Sequence, residues 1–219
     1  RFRNVTGVQT CALPISLAQS DGDIAALIAR QQEQNAVSIN LVASESYCPR
    51  ATLEAEASVL VNKNASGYPP RVSFAGGEVM DAIELLAIER AKRLFGAEHA
   101  NIQSLSSTIS NVAVMRGLLK PGDRVLAFDR AAGGHSSHGS GRHLSGQDYA
   151  VESFGVDPHT GLVDYAAARE RARALRPRMI VAGSSAYPRQ IDFLALADIA
   201  QEVGALLLAD IAHVAGLVV

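Results

Sequence analysis

Met179-Ile180-Val181-Ala182-Gly183-Ser184-Ser185-Ala186-Tyr187 decides the fold when it is read together with the residues up to His213. A short apolar run, Met179 to Ala182, ends in a polar turn. Phe193 to Val203 then reads as a helix. A second apolar run, Ala205 to Ala209, ends in Asp210-Ile211-Ala212-His213. Strands joined by helices of this length lie parallel, with right-handed crossovers. Working outward, the alternation repeats. Arg124 to Phe128 reads as a strand, preceded by a helix that Ser106-Ser107-Thr108 opens and Pro121-Gly122-Asp123 stops. Asp164 caps a helix to Leu175. Asp81 to Phe95 is a helix with Ile83, Leu86, Ala87 and Leu94 as its stripe, and Gly96 fits its C-terminal cap. Asn101 to Leu105 reads as a further strand. Asp23 to Glu33 and Arg50 to Leu60 read as helices, and Gly67, Pro69, Pro70, Gly76 and Gly77 mark a long loop. The expected class is α/β with a mostly parallel sheet.

Composition narrows the function. The chain has 219 residues and is 48% apolar, enough for a core without staples. A net charge of -2 argues against a nucleic-acid partner. Cys11 and Cys48 are too few for a disulfide framework, which points to a reducing compartment, the cytoplasm. No apolar run is long enough for a membrane span. Val5 to Ile15 matches, residue for residue, the in-frame translation of a common short-read sequencing adapter. Residues 1–15 are therefore read as a non-native N-terminal artefact and kept out of the fold.

Parallel α/β sheets place ligands at the carboxyl ends of their strands, and four such ends carry polar residues here. Ser106-Ser107-Thr108 forms either an ordinary helix cap or an anion cup suited to a phosphate. Gly133-Gly134-His135-Ser136-Ser137-His138-Gly139 holds two histidines, either a zinc pair or an imidazole facing a flat ligand. No third ligand stands at the usual spacing, so no metal is assigned. Ser184-Ser185-Ala186-Tyr187 comes directly after a strand. Asp210 ends another, as a structural carboxylate or as the partner of a protonated ring nitrogen. A phosphate cup, a stacking histidine and an aspartate for a ring nitrogen together describe a pyridoxal phosphate site. No phosphate-binding glycine fingerprint of a nucleotide fold occurs at a strand end.

Several motifs in order resemble the serine hydroxymethyltransferase family from about Gln31 to Val219. They are Asn40-Leu41-Val42-Ala43-Ser44-Glu45, Asn62-Lys63 with Gly67-Tyr68-Pro69, Gly133-Gly134-His135 with His138-Gly139, Ala182-Gly183-Ser184-Ser185-Ala186-Tyr187-Pro188-Arg189, and Asp210-Ile211-Ala212-His213-Val214-Ala215-Gly216-Leu217. The resemblance implies a fold-type I pyridoxal phosphate transferase, like aspartate aminotransferase, with three layers and here incomplete. It implies that Asp210 pairs with the pyridine nitrogen and His135 stacks on the ring. Ser185 and His213 would lie near the phenolic oxygen, Ser106, Ser107 and Thr108 at the phosphate, and Ser44 near the amino acid. It further implies tetrahydrofolate as cosubstrate and a homodimer or tetramer. Residues 16–62 would form an N-terminal helical arm, and 63–219 the first part of the large cofactor-binding domain. The family's cofactor lysine is expected beyond Val219, as Lys63, Lys92 and Lys120 do not stand at its position. The chain thus reads as a fragment that is itself inactive.

The departures from the family bear on the substrate. The family's glutamate, which handles protons on the hydroxymethyl group and folate, is Ser66, a far weaker acid or base. Its tyrosines are Asn64, Ser73 and Phe74; leucines beside the folate are Arg130 and Ser136; and its Ser-Gly-Ser phosphate stretch is Ser106-Ser107-Thr108. Serine–glycine interconversion with one-carbon transfer is the expected activity. A folate-independent threonine aldolase or transaldolase is the alternative, and a non-catalytic relative a third reading. The arginines from Arg169 to Arg178 read as a solvated helix face, and Cys48 as structural.

Overall fold

The computed structural model describes residues 16–70 and 75–219. The expectations for residues 1–15, Ser73 and Phe74 lie outside the described residues. The chain divides into two compact units between Glu45 and Ser46, whereas the sequence reading set its boundary after Asn62.

The first unit holds Leu17–Ser20 (α1) and Gly22–Val37 (α2). Asp21 caps α2 by accepting from the Ile24 amide at 3.0 Å. Downstream, the Asn40 side chain accepts from the Val42 amide at 2.9 Å and donates to the Glu45 carboxylate. These bonds shape the turn that carries Ser44.

The second unit runs through Arg50–Glu56 (α3), Glu78–Phe95 (α4), Ser107–Leu118 (α5), Arg124–Phe128 (β1), Leu144–Asp148 (α6), Ala150–Phe154 (β2), Tyr165–Leu175 (α7), Met179–Gly183 (β3), Phe193–Val203 (α8) and Leu206–Asp210 (β4). The strands form one sheet, ordered β2-β1-β3-β4 and parallel throughout. Strand alternation assigns the two faces. Leu126, Phe128, Ile180 and Ala182 pack against Ala168 and Ala172 of α7 and Leu196 and Ile199 of α8. Val125, Ala127, Met179 and Val181 pack instead with Met115 of α5, Leu119 and Tyr149. The result is helix, sheet and helix in three layers. Each large apolar side chain so buried contributes about 1.5–3 kcal/mol. Phe128 also packs between Phe154, tilted against it, and Tyr187, edge-on to it, with ring centroids 5.4 and 5.6 Å away.

Most caps agree with the sequence reading. Gly96 is left-handed at φ 60° after α4, and Asp164 accepts from the Ala167 amide at 2.9 Å to start α7. Two readings need correction. Asn101 to Leu105 is no strand. Asn101 folds back to accept from the Gln103 amide at 2.9 Å, and Gln103 reaches Gly67 O and Glu84. Leu105 is 94% exposed, so no sheet face calls for it. Conversely, β2 gave no strand signal. It lies at the sheet edge, exposed to intermediate up to its last residue, the buried Phe154, and needs no continuous apolar run.

The arginine run does more than face solvent. Arg169 and Arg173 both bind Glu202 and so link α7 to α8, while Arg171 donates to Ser153 O at 2.8 Å. Cys48 is exposed, so its sulfur packs in no core, against the structural reading.

Candidate active site

Because the strands are parallel, β1, β3 and β4 deliver their carboxyl ends to one edge, at Phe128, Gly183 and Asp210. The loops after β1 and β3 are tied together there. Gly133 O accepts from the amides of Ser185 at 2.9 Å and Ala186 at 3.1 Å. Gly133 has φ +111°, and a Cβ on it would come within 2.6 Å of Tyr187 N. Only glycine fits where the two loops approach this closely.

Asp210 is the centre of the site. Its side chain is 10% exposed. Oδ2 accepts from His138 Nε2 at 2.8 Å and from Asn111 Nδ2 at 2.8 Å, and Oδ1 accepts from the Ala212 amide at 3.2 Å. Burial opposes the charge, but the bonds from His138 and Asn111 outweigh it. They hold the carboxyl well below the usual carboxylate range. His138 is 2% exposed, and its Nδ1 faces the His135 amide at 3.4 Å. His135 caps the next turn: its Nδ1 accepts from the Ser137 amide at 3.2 Å and lies 2.8 Å from Ser137 Oγ. Burial, then the charge of His138, lowers the His135 pKa from its ordinary value, and His213 pushes the same way. Both histidines of the loop are thus committed to neighbours. Among the described residues no group of three or more His, Cys, Asp or Glu could hold a metal.

The remaining sequence-predicted residues separate into three groups. Ser185 joins the cluster through its backbone, and its Oγ is buried without a hydrogen-bond partner. Ser106 Oγ accepts from the Ile109 amide at 3.2 Å, the ordinary cap. That leaves the Ser107 and Thr108 amides at the opening of α5. His213 is exposed just after β4. Ser66 is exposed in the loop whose Gly67 carbonyl is held by Gln103. Ser44 is an exposed residue of the first unit. Asp210, Gly183 and Ser184 also line a groove of about 920 Å³, with Tyr187, Val214 and Leu217.

Three members of the cluster escaped the sequence reading in these roles: Asn111, Ser137 and His138 as the ligand of Asp210. Asn111 did leave a trace, a polar residue among Ile109, Val112, Val114 and Met115 on a helix that packs inward.

The sequence model of the serine hydroxymethyltransferase family matches residues 17–219. The chain belongs to that family. It is 48% identical over 209 residues to serine hydroxymethyltransferase 1 of Mycobacterium tuberculosis (strain CDC 1551 / Oshkosh), covering 95% of this chain and 48% of that protein. It is 47% identical over 202 residues to serine hydroxymethyltransferase of Clavibacter michiganensis subsp. michiganensis (strain NCPPB 382), covering 92% of this chain and 48% of that protein. The corresponding enzyme 1 of Mycobacterium bovis (strain ATCC BAA-935 / AF2122/97) is 49% identical over 202 residues. The chain therefore spans about half the length of the curated relatives it matches. The three-layer parallel sheet agrees with the fold-type I architecture of the serine hydroxymethyltransferase family.

Proposed function

We propose that the protein carrying this chain uses pyridoxal 5'-phosphate to interconvert serine and glycine, with the one-carbon unit passing to tetrahydrofolate. One observation carries the reading: Asp210 is a nearly buried carboxylate held ionised by two side-chain donors. An ionised carboxylate offers about four acceptor positions. His138, Asn111 and the Ala212 amide occupy three, which leaves one for a single ring N–H. The partnerless Ser185 Oγ offers a second unfilled polar contact at the same edge. These residues fit the cofactor.

When bound, pyridoxal phosphate supplies an electron sink for cleavage between the α and β carbons of a β-hydroxy amino acid. The chain's own residues supply the setting. Asp210 keeps the ring nitrogen protonated. His135, its pKa lowered by burial, presents a neutral imidazole to the ring face near neutral pH. Ser185 and His213 serve the phenolic oxygen. The opening of α5 holds the phosphate through Ser107 and Thr108, with Ser106 capping the helix behind them. Ser44 contacts the amino acid. The protein works as a homodimer or tetramer in the cytoplasm. The free thiol of Cys48 suits a reducing compartment, and among the described residues no helix is long and apolar enough to cross a membrane.

A second reading is favoured by Ser66, which stands where the family has a glutamate. In that reading the β-hydroxy amino acid is cleaved without folate. The test takes the complete reading frame, loads it with pyridoxal phosphate, and monitors glycine formation from L-serine and L-threonine with and without tetrahydrofolate. Folate-dependent serine cleavage is expected, and Ser66→Glu should raise it about tenfold or more by restoring an acid–base group. Threonine cleavage indifferent to folate would establish the second reading. Failure to retain the cofactor would sink both.

A further inference from the structure

We infer that Asn111 is a positioning residue that ties Asp210 and His135 into one hydrogen-bonded unit through Ser137. The inference rests on the reading that these two groups face the pyridine ring. Asn111 sits one turn into α5 and is 4% exposed. A carboxamide has two N–H donors, and both are engaged. One donates to Asp210 Oδ2 at 2.8 Å, the other to Ser137 Oγ at 2.9 Å. The Ser137 side chain is fully buried, and its Oγ lies 2.8 Å from His135 Nδ1.

One fixed donor sets the proton directions. The Ser137 amide points its N–H at His135 Nδ1 from 3.2 Å, and an amide nitrogen cannot accept. His135 Nδ1 therefore carries a lone pair, and the ring proton sits on Nε2. The Ser137 hydroxyl then donates to Nδ1 and accepts from Asn111. His138 obeys the same logic. Its Nδ1 accepts from the His135 amide, so Nε2 holds the proton that faces Asp210 Oδ2. Every bond in the path from Asp210 through Asn111 and Ser137 to His135 thus has one direction. A single amide sets both the carboxylate meant for the ring nitrogen and the imidazole meant for the ring face. An aliphatic residue at 111 would fill the space and cut the path at both ends. A residue that merely filled the core would leave the titration of its neighbours unchanged when replaced by one of similar shape.

The test is NMR of the histidine ring nitrogens and aspartate carboxyl carbons across pH, on the cofactor-free complete protein. Asn111→Leu and Ser137→Ala are compared with the wild type, and folding is checked by circular dichroism. Asn111→Leu should move the Asp210 titration upward and shift the His135 ring signals. Ser137→Ala, which removes only the middle of the path, should shift His135 and leave Asp210 in place. In parallel, the dissociation constant for pyridoxal phosphate should rise about tenfold in Asn111→Leu, the scale of one charge-assisted hydrogen bond. Unmoved His135 signals in folded Ser137→Ala would overturn the coupling, whether or not Asn111→Leu folds. Spectra that shift as expected in a protein that binds no pyridoxal phosphate would leave the coupling standing and sink the cofactor reading.

Discussion

Replacing Asp210 by alanine is expected to remove cofactor retention and to destabilise the second unit by about 2–6 kcal/mol, about 1–3 for each of the two buried donors left without an acceptor. The large figure comes from what is left behind. His138 and Asn111 would both keep donors aimed at a site without an acceptor, and both are nearly fully buried. Asp210→Asn separates charge from shape. It retains an acceptor, so the stability loss should fall to about 1.5–3 kcal/mol, the range for hydrogen bonds to a charged group. It cannot keep a ring nitrogen protonated, and turnover in the complete protein should drop by about a hundredfold to a thousandfold. The acid limb of stability gives an independent readout. The folded-state pKa of Asp210 lies below that of an unfolded aspartate, about 3.9. Its stabilisation is therefore fully present above that value and lost as pH falls towards the folded pKa. Melting temperatures should fall more steeply below about pH 4 in the wild type than in Asp210→Asn. Parallel acid limbs would show that Asp210 is not held ionised by its donors.

The site shows how far sequence alone could be read. Its strands were legible because β1 and β3 are buried on both faces, and a parallel strand in that position must be an unbroken apolar run. The polar residues that come after those runs could be located because the sheet's direction fixes where loops emerge. What stayed hidden depended on distance. Asn111 is 99 residues from Asp210 and His138 is 72 residues from it. No local pattern states that these side chains meet, and the pairing exists only once α5 has docked on the sheet. The Ser106 hydroxyl shows the converse. Its residue type fitted both a cap and a phosphate cup, and only geometry assigns its oxygen to the Ile109 amide. The false strand at Asn101 to Leu105 has a similar origin. Asn101 and Gln103 use their side chains to fix a turn and the neighbouring loop, a competition with sheet pairing that propensity does not resolve.

Gly183→Ala should be the most damaging conservative change near the site. Gly183 closes β3 at φ +151° and is paired in register with Asp210 at the end of β4. A Cβ there would lie 2.1 Å from Asp210 O and 2.8 Å from Asp210 Cβ. The first of these is backbone of the neighbouring strand, so it cannot swing aside as the tip of a flexible side chain can. Overpacking of about 1–3 kcal/mol adds to backbone strain of similar size, so a loss of about 3 kcal/mol or more is expected. The displaced atoms belong to Asp210, so the damage should also reach its bonds to His138 and Asn111. Gly161→Ala is the matched control. That glycine has φ +66° with nothing within 4 Å of its added Cβ, so it should lose only the left-handed strain, about 1–2 kcal/mol. Urea unfolding of the two variants separates the contributions. Gly183→Ala should have the lower midpoint and the weaker pyridoxal phosphate binding, while Gly161→Ala should bind as the wild type does. Equal midpoints would mean that β3 and β4 do not approach as closely as their register requires.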